Sequence, residues 1–149
     1  MTGEIVQAEV RSEAAVPSSP QAVGKHTPHI LVVDDERLIR WCLRQGLRRD
    51  GFEVDEAADG HTALRLLRDD PGRFAGVLLD YRLPDRHDLS LLQDILKIAP
   101  HIPVLMMTAL AEPAMRADAI ACGALGVIDK PFDVAAVIAR LRSALEPSH

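Results

Sequence analysis

From His29 onward the chain alternates between short apolar runs and longer stretches in which apolar residues recur every three or four positions. The runs are Ile30-Leu31-Val32-Val33, Phe52 to Ala57, Gly76 to Leu79, Pro103 to Met107 and Gly126 to Asp129. Their length and aliphatic content predict strands, and their weak alternation predicts burial on both faces, as in a parallel sheet. Between the runs the period is helical. Leu38, Ile39, Cys42, Leu43 and Leu47 predict a first helix over Glu36 to Arg49, with Trp41 off the centre of the apolar face and half exposed, and Asp50-Gly51 at its end. Ala63, Leu64, Leu66 and Leu67 predict a second helix, opened by Asp59-Gly60 and closed by Pro71-Gly72. Leu91, Leu92, Ile95 and Leu96 predict a third, capped by Asp88 and stopped by Pro100. Pro113 to Cys122, ended by Gly123, reads as a fourth, and Val134, Val137, Ile138, Leu141 and Leu145 mark a fifth capped by Asp133.

Five strand–helix units between residues 29 and 146 predict an α/β domain with a doubly wound parallel sheet, because right-handed crossovers place helices on both faces. Such sheets bind ligands outside the carboxyl ends of their strands, where the strand order reverses. Residues 1–28 differ: Pro17, Ser18, Ser19, Pro20 and Pro28, with few large apolar side chains, predict a disordered N-terminal tail with room for a short helix over Glu4 to Ala15. Residues 147–149 are a C-terminal end.

Composition narrows the classes. The 149 residues are 48% hydrophobic and 26% charged, which suits one domain with a real core. A net charge of -5 disfavours direct nucleic-acid binding. No apolar run approaches the roughly 18 residues of a membrane span, and the N-terminus has no secretion-signal pattern, so the expectation is a cytoplasmic protein without membrane insertion. Cys42 and Cys122 fit no metal spacing and read as buried thiols in a reducing compartment. His87 and His101 read as loop or surface residues.

The candidate chemistry lies at the strand ends. The apolar runs deliver Asp34-Asp35, Asp80, Thr108 and Lys130 to one sheet edge. Clustered carboxylates repel unless a cation or shared protons relieve them, and hard oxygen donors with open positions suit Mg2+. An ammonium and a hydroxyl opposite them suit an anion held by that metal. A carboxylate, Mg2+, an ammonium and a hydroxyl are what phosphoryl transfer to an aspartate requires. Singly, each has a plainer reading: Asp34-Asp35 as a helix cap, Asp80 as a loop starter, Thr108 as an ordinary strand end, Lys130 as a surface lysine or counter-ion. Their joint occurrence, in register with consecutive strands, is the specific signal.

At this point the chain resembles the receiver domains of two-component response regulators. The matching stretches are Ile30 to Glu36 (ILVVDDE), Leu78 to Asp88 (LLDYRLPDRHD), Val104 to Ala109 (VLMMTA) and Asp129 to Phe132 (DKPF). The segment Leu38-Ile39-Arg40-Trp41 and the Leu83-Pro84-Asp85 turn resemble most the receivers of nitrogen-regulation-type activators. The resemblance implies a flavodoxin-like fold with strand order 2-1-3-4-5 and five helices. It implies Asp80 as phosphoacceptor, Mg2+ held by Asp34, Asp35, Asp80 and the backbone carbonyl of Arg82, and Thr108 and Lys130 on the phosphoryl group. It also implies a cis peptide between Lys130 and Pro131, against a base rate of roughly 5–6% for X-Pro bonds.

Two positions depart from the pattern. Receivers usually carry Tyr or Phe three positions before the lysine, where this chain has Val127, so the aromatic half of their usual switch is missing. The Gly that commonly follows the loop aspartate is Leu89, read as a packing change. Ala109 is small, as access to the phosphoryl group requires, while Arg82 and Leu110 flank the site, with Leu110 expected to limit water and slow hydrolysis.

The functional expectation is a stand-alone response regulator, phosphorylated on Asp80 by a histidine kinase or phosphotransfer protein, and not a turnover enzyme. With no DNA-binding or ATPase segment after Leu145, output is expected through a downstream protein target. The surface of the fourth helix, fifth strand and fifth helix would carry that output or a homodimer contact. The alternatives are a pseudo-receiver acting as a constitutive docking or dimerisation module, supported by Val127, and an Asp-dependent phosphatase. The latter needs a second aspartate where Arg82 stands.

Overall fold

The computed structural model describes residues 27–109 and 111–146. The elements are β1 (His29–Val33), α1 (Arg37–Arg49), β2 (Glu53–Ala57), α2 (Gly60–Asp69), β3 (Phe74–Asp80), α3 (Ser90–Ile98), β4 (Val104–Thr108), α4 (Pro113–Ala121), β5 (Gly126–Asp129) and α5 (Val134–Leu145). The five strands are all parallel, in the order β2-β1-β3-β4-β5. The doubly wound parallel sheet is the one expected from the apolar runs, and its order, reversing at β1, is the one the resemblance implied.

Two cores follow from the alternation of side chains across the sheet. On one face Leu31, Val33, Val77, Leu79, Val104 and Met106 pack against α2, α3 and α4 residues such as Leu67, Leu92 and Ala119. On the other, Ile30, Val32, Leu78, Leu105 and Met107 pack against Leu43 and Leu47 of α1 and Val137 and Leu141 of α5. The central strands are therefore buried on both sides, which is why their sequences show no alternation. Edge strand β2 is less covered: Val54 and Ala57 are buried, one in each core, while Glu53 is exposed and Asp55 and Glu56 are half-buried.

The helix ends carry the local chemistry that starts and stops them. Asp59 caps α2 by accepting from the Thr62 N–H at 2.7 Å, and Asp133 caps α5 by accepting from the Ala135 N–H at 3.1 Å. Gly51 (φ 95°) and Gly123 (φ 110°) leave α1 and α4 in the left-handed region that glycine alone adopts at no steric cost.

Several local expectations are corrected. Leu38, counted with the apolar face of α1, is 69% exposed, while Trp41 is half exposed at 48% as expected. The helix begins at Arg37, so Leu38 sits in its first turn, and the buried positions of the helix are Leu43 and Leu47. Helix α3 begins at Ser90, and Asp88 meets it from one residue outside the cap position, accepting from the Ser90 N–H at 2.9 Å. Strand β3 starts two residues early, at Phe74, because His29 of β1 pairs with Phe74 across an irregularity in register. Cys42 and Cys122 are half-buried rather than buried. The expected tail and its short helix over Glu4 to Ala15 lie almost wholly outside the described residues, as do residues 147–149. Among the described residues, no helix is long and apolar enough to cross a membrane.

Candidate functional site

Parallel register brings the strand-end residues together. Asp34 follows directly on β1, whose last residue Val33 pairs with Leu79, one position before Asp80. Asp80 ends β3 and pairs with Met107, one position before Thr108. Thr108 ends β4 and pairs with Asp129, one position before Lys130. Each step across the sheet carries the next polar residue to the same carboxyl edge.

Asp34, with no exposed surface, uses both carboxylate oxygens. Oδ1 accepts from the Glu36 N–H at 2.8 Å, and Oδ2 accepts from Lys130 Nζ at 2.8 Å. The first contact is the local helix-entry turn that the plainer reading assigned to it; the second reaches across 96 residues. Lys130 Nζ also lies 3.4 Å from Asp80 Oδ2 and 3.4 Å from Glu36 Oε1. The other oxygen of Asp80 accepts from the Arg82 N–H at 3.3 Å, and Asp80 is only 6% exposed. Thr108 is buried at 2% exposure, and its carbonyl accepts from the Lys130 N–H at 2.7 Å. The Lys130–Pro131 peptide is cis, as the DKPF segment implied.

Two buried carboxylates share one ammonium, and the charges show the strain. Burial, reinforced by the neighbouring Asp34 charge, pushes the Asp80 carboxyl up to about 6 despite Lys130 and the Arg82 N–H. Asp34 is also raised, by burial outweighing its bonds to Lys130 and Glu36. Burial pulls Lys130 down, but its hydrogen bond to Asp34 and the charges of Asp34, Asp80 and Glu36 win and hold it above the ordinary lysine value.

Asp35 is exposed, yet Asp34, Asp35 and Asp80 each offer an oxygen within 4.8 Å of the others. Three carboxylates against one ammonium leave an excess of negative charge and an all-oxygen donor set, which fits a hard divalent cation. Asp35 and Asp80 line a cavity of about 480 Å³ together with Thr108, Ala109, Lys130 and Pro131, while Asp34 lies buried behind it. Ala109 and the Arg82 side chain are exposed, so the cavity mouth stays open beside Asp80. Leu110 lies outside the described residues. A groove of similar size between α1 and α5 is lined by Gly46, Val134 and Ile138, and at its rim Arg142 pairs with Asp50 at 2.7 Å. His87 and His101 are exposed and stand outside the acidic cluster.

Three supporting residues escaped the sequence reading. Glu36 shares Lys130, Arg40 donates through Nη1 to the Asp34 carbonyl at 2.7 Å, and Arg116 donates through Nη1 to the Val127 carbonyl at 3.0 Å and through Nη2 to Asp129. Glu36 had a signal, since it directly follows the acidic pair. The two arginines had none, because their partners are set by how α1 and α4 lie on the sheet. Val127, at the position of the missing aromatic, is buried in the core beneath α4.

Comparison with known proteins agrees with this geometry. A family model described as response regulator receiver domain matches residues 30–142. The chain is similar to the response regulator MprA of Mycolicibacterium vanbaalenii, with 34% identity over 116 residues covering 78% of this chain and 49% of that protein. It is similar to the regulatory protein AtoC of Escherichia coli, with 37% identity over 105 residues covering 70% of this chain and 22% of that protein. AtoC weakly supports the finer likeness to nitrogen-regulation-type activators. The chain thus spans about half the length of MprA and less of AtoC. A chain from the CheX-CheY-BeF3-Mg complex of Borrelia burgdorferi superposes with a TM-score of 0.76 at 29% identity, over 80% of this chain and 90% of that one.

Proposed function

This chain belongs to the family of response regulator receiver domains, signalling domains of the CheY-like fold, and from that premise we propose that it accepts a phosphoryl group on Asp80. The observation that carries the reading is the buried Asp34–Lys130–Asp80 cluster beside exposed Asp35 at the open sheet edge. A carboxylate at Asp80 attacks the phosphorus of a phosphohistidine donor; an O–P bond forms, the P–N bond breaks, and the electron pair leaves with the imidazole. A carboxyl pushed up to about 6 is mostly ionised above pH 7, so the nucleophile is available. Asp34, Asp35, Asp80 and the Arg82 carbonyl would hold Mg2+, which when bound neutralises charge on the transferring group. Lys130 neutralises a phosphoryl oxygen from the opposite side, and the Thr108 hydroxyl reads the group from the end of β4. The similar Borrelia complex contains BeF3 and Mg, which supports a magnesium-assisted phosphoryl reading of this chain.

The partners that fit are a histidine kinase or phosphotransfer protein as donor and a downstream protein target as receiver, in the cytoplasm. The α4–β5–α5 surface, where Ile120 is 51% and Leu125 43% exposed, supports an output or homodimer contact there. Residues 29–146 form the receiver unit, with residues 1–28 outside it. The pseudo-receiver reading rests on Val127 alone, and Arg82 in place of a second aspartate disfavours a phosphatase. The test is incubation with acetyl phosphate and Mg2+, read by intact mass. The wild-type protein gains one phosphoryl group, and Asp80→Asn gains none. Labelling of Asp80→Asn at the wild-type rate rejects the assignment, and absence of both labelling and Mg2+ binding in the wild type favours the pseudo-receiver.

A further inference from the structure

The loop between β3 and α3, residues 81–89, begins at the proposed phosphoacceptor and carries the Arg82 carbonyl. Its start is held in place: the Tyr81 N–H donates to the Met107 carbonyl of β4 at 2.9 Å, and Leu83 is buried, with its N–H on the Arg86 carbonyl at 2.8 Å. Beyond Leu83 the loop is exposed at Pro84, Asp85, His87 and Asp88, yet it makes polar contacts toward both neighbouring helices. Toward α3, Arg86 donates through Nη2 to Asp94 at 2.7 Å and to Ser90 Oγ at 2.9 Å. Toward α2, Asp85 accepts from the Gly60 N–H through Oδ1 at 2.8 Å and from the His61 N–H through Oδ2 at 2.9 Å.

The second contact completes the N-terminus of α2. The first N–H groups of a helix lack partners within it. Here those of Gly60 and His61 go to Asp85, that of Thr62 goes to Asp59 at 2.7 Å, and that of Ala63 goes to the Asp59 carbonyl at 3.2 Å. The helix therefore has two acidic caps, one from its own chain segment and one from the loop of the proposed phosphorylation site. The close approach also explains a glycine. A Cβ at Gly60 would stand 2.9 Å from Arg86 Cγ, 3.1 Å from Leu91 Cδ2 and 3.3 Å from Asp85 Oδ1. Both sides of the contact are built for it.

We propose that Asp85 is a positioning residue for the metal and phosphoryl site: by docking on the N-terminus of α2 it sets the path of the 81–89 loop and so the placement of the Arg82 carbonyl. The proposal rests on the receiver reading above. Asp85 touches neither metal nor phosphoryl group. Its two charge-assisted bonds tie the loop to the N-terminus of α2, as Arg86 ties it to α3.

The two caps on one helix make the test. Asp59→Ala and Asp85→Ala each remove one acidic cap from α2, and both lower Tm. Only Asp85→Ala frees the loop. In metal-free protein, amide exchange over residues 82–87 rises in Asp85→Ala and stays at wild type in Asp59→Ala. In calorimetric titration with Mg2+ alone, the Kd of Asp85→Ala rises on the order of tenfold while that of Asp59→Ala is unchanged. Asp85→Asn, which keeps one of the two acceptor oxygens and loses the charge, falls between wild type and Asp85→Ala in both readouts. Gly60→Ala, which presses on the same contact from the other side, weakens Mg2+ binding like Asp85→Ala. A wild-type Kd in Asp85→Ala, or equal losses in Asp59→Ala and Asp85→Ala, overturns the positioning role. A wild-type protein that binds no Mg2+, with the loop exchange still rising in Asp85→Ala, overturns the receiver reading instead.

Discussion

Asp34 and Asp80 are each nearly without exposed surface, and one ammonium stands between them. Removing a charge from such a cluster stabilises it. For Asp80 the sign is set by a folded carboxyl pushed up to about 6 from 3.8. Because the folded state then binds more protons than the unfolded chain between those values, the cost of the charged form is absent below pH 4. It grows through that window and is complete above pH 6. Asp80→Asn in the absence of divalent cations should therefore raise stability by about 1–3 kcal/mol at pH 7.5 and by little at pH 4, measured by denaturant melts across that range. An advantage that is independent of pH rules the mechanism out. These residues were legible in the sequence because each follows an apolar run that can only be a buried strand. Arg40 and Arg116 were not, since nothing local marks an arginine whose acceptor is a carbonyl on another element.

At the scale of elements, periodicity identifies a helix better than it identifies the helix's buried face. In α1 the spacing treats Leu38 and Leu43 alike, yet Leu43 is fully buried under α5 and the sheet while Leu38 is 69% exposed. Leu38→Gln should change stability by no more than about 0.5 kcal/mol, whereas Leu43→Ala should cost about 2–5 kcal/mol, both by chemical denaturation. Equal effects would mean that Leu38 is covered in solution. The caps divide the same way. Asp59 and Asp133 act within three residues of their own positions and could be read directly, but Asp85 caps α2 from 25 residues away. The early start of β3 at Phe74 likewise depends on pairing with His29, a partner that no local pattern specifies.

At the scale of the molecule, the cation that the acidic edge suits should bind the folded state alone. A millimolar site at tenfold excess Mg2+ contributes about 1.4 kcal/mol, which should appear as a higher Tm. Asp35→Asn, which alters an exposed donor, should abolish most of that gain while leaving the metal-free Tm close to wild type; a gain that survives it places the cation elsewhere. The sequence alone determined the order of strands and helices, the doubly wound class and the four strand-end signals, because a strand buried on both faces must be continuously apolar and its first polar residue marks the sheet edge. Tertiary structure alone decided which charges share a partner. Lys130 meets Asp34 across 96 residues, and Asp85 completes a helix that its own segment does not contain. Those contacts depend on parallel register and on the lie of helices over the sheet, and neither quantity is stored in any short stretch of chain.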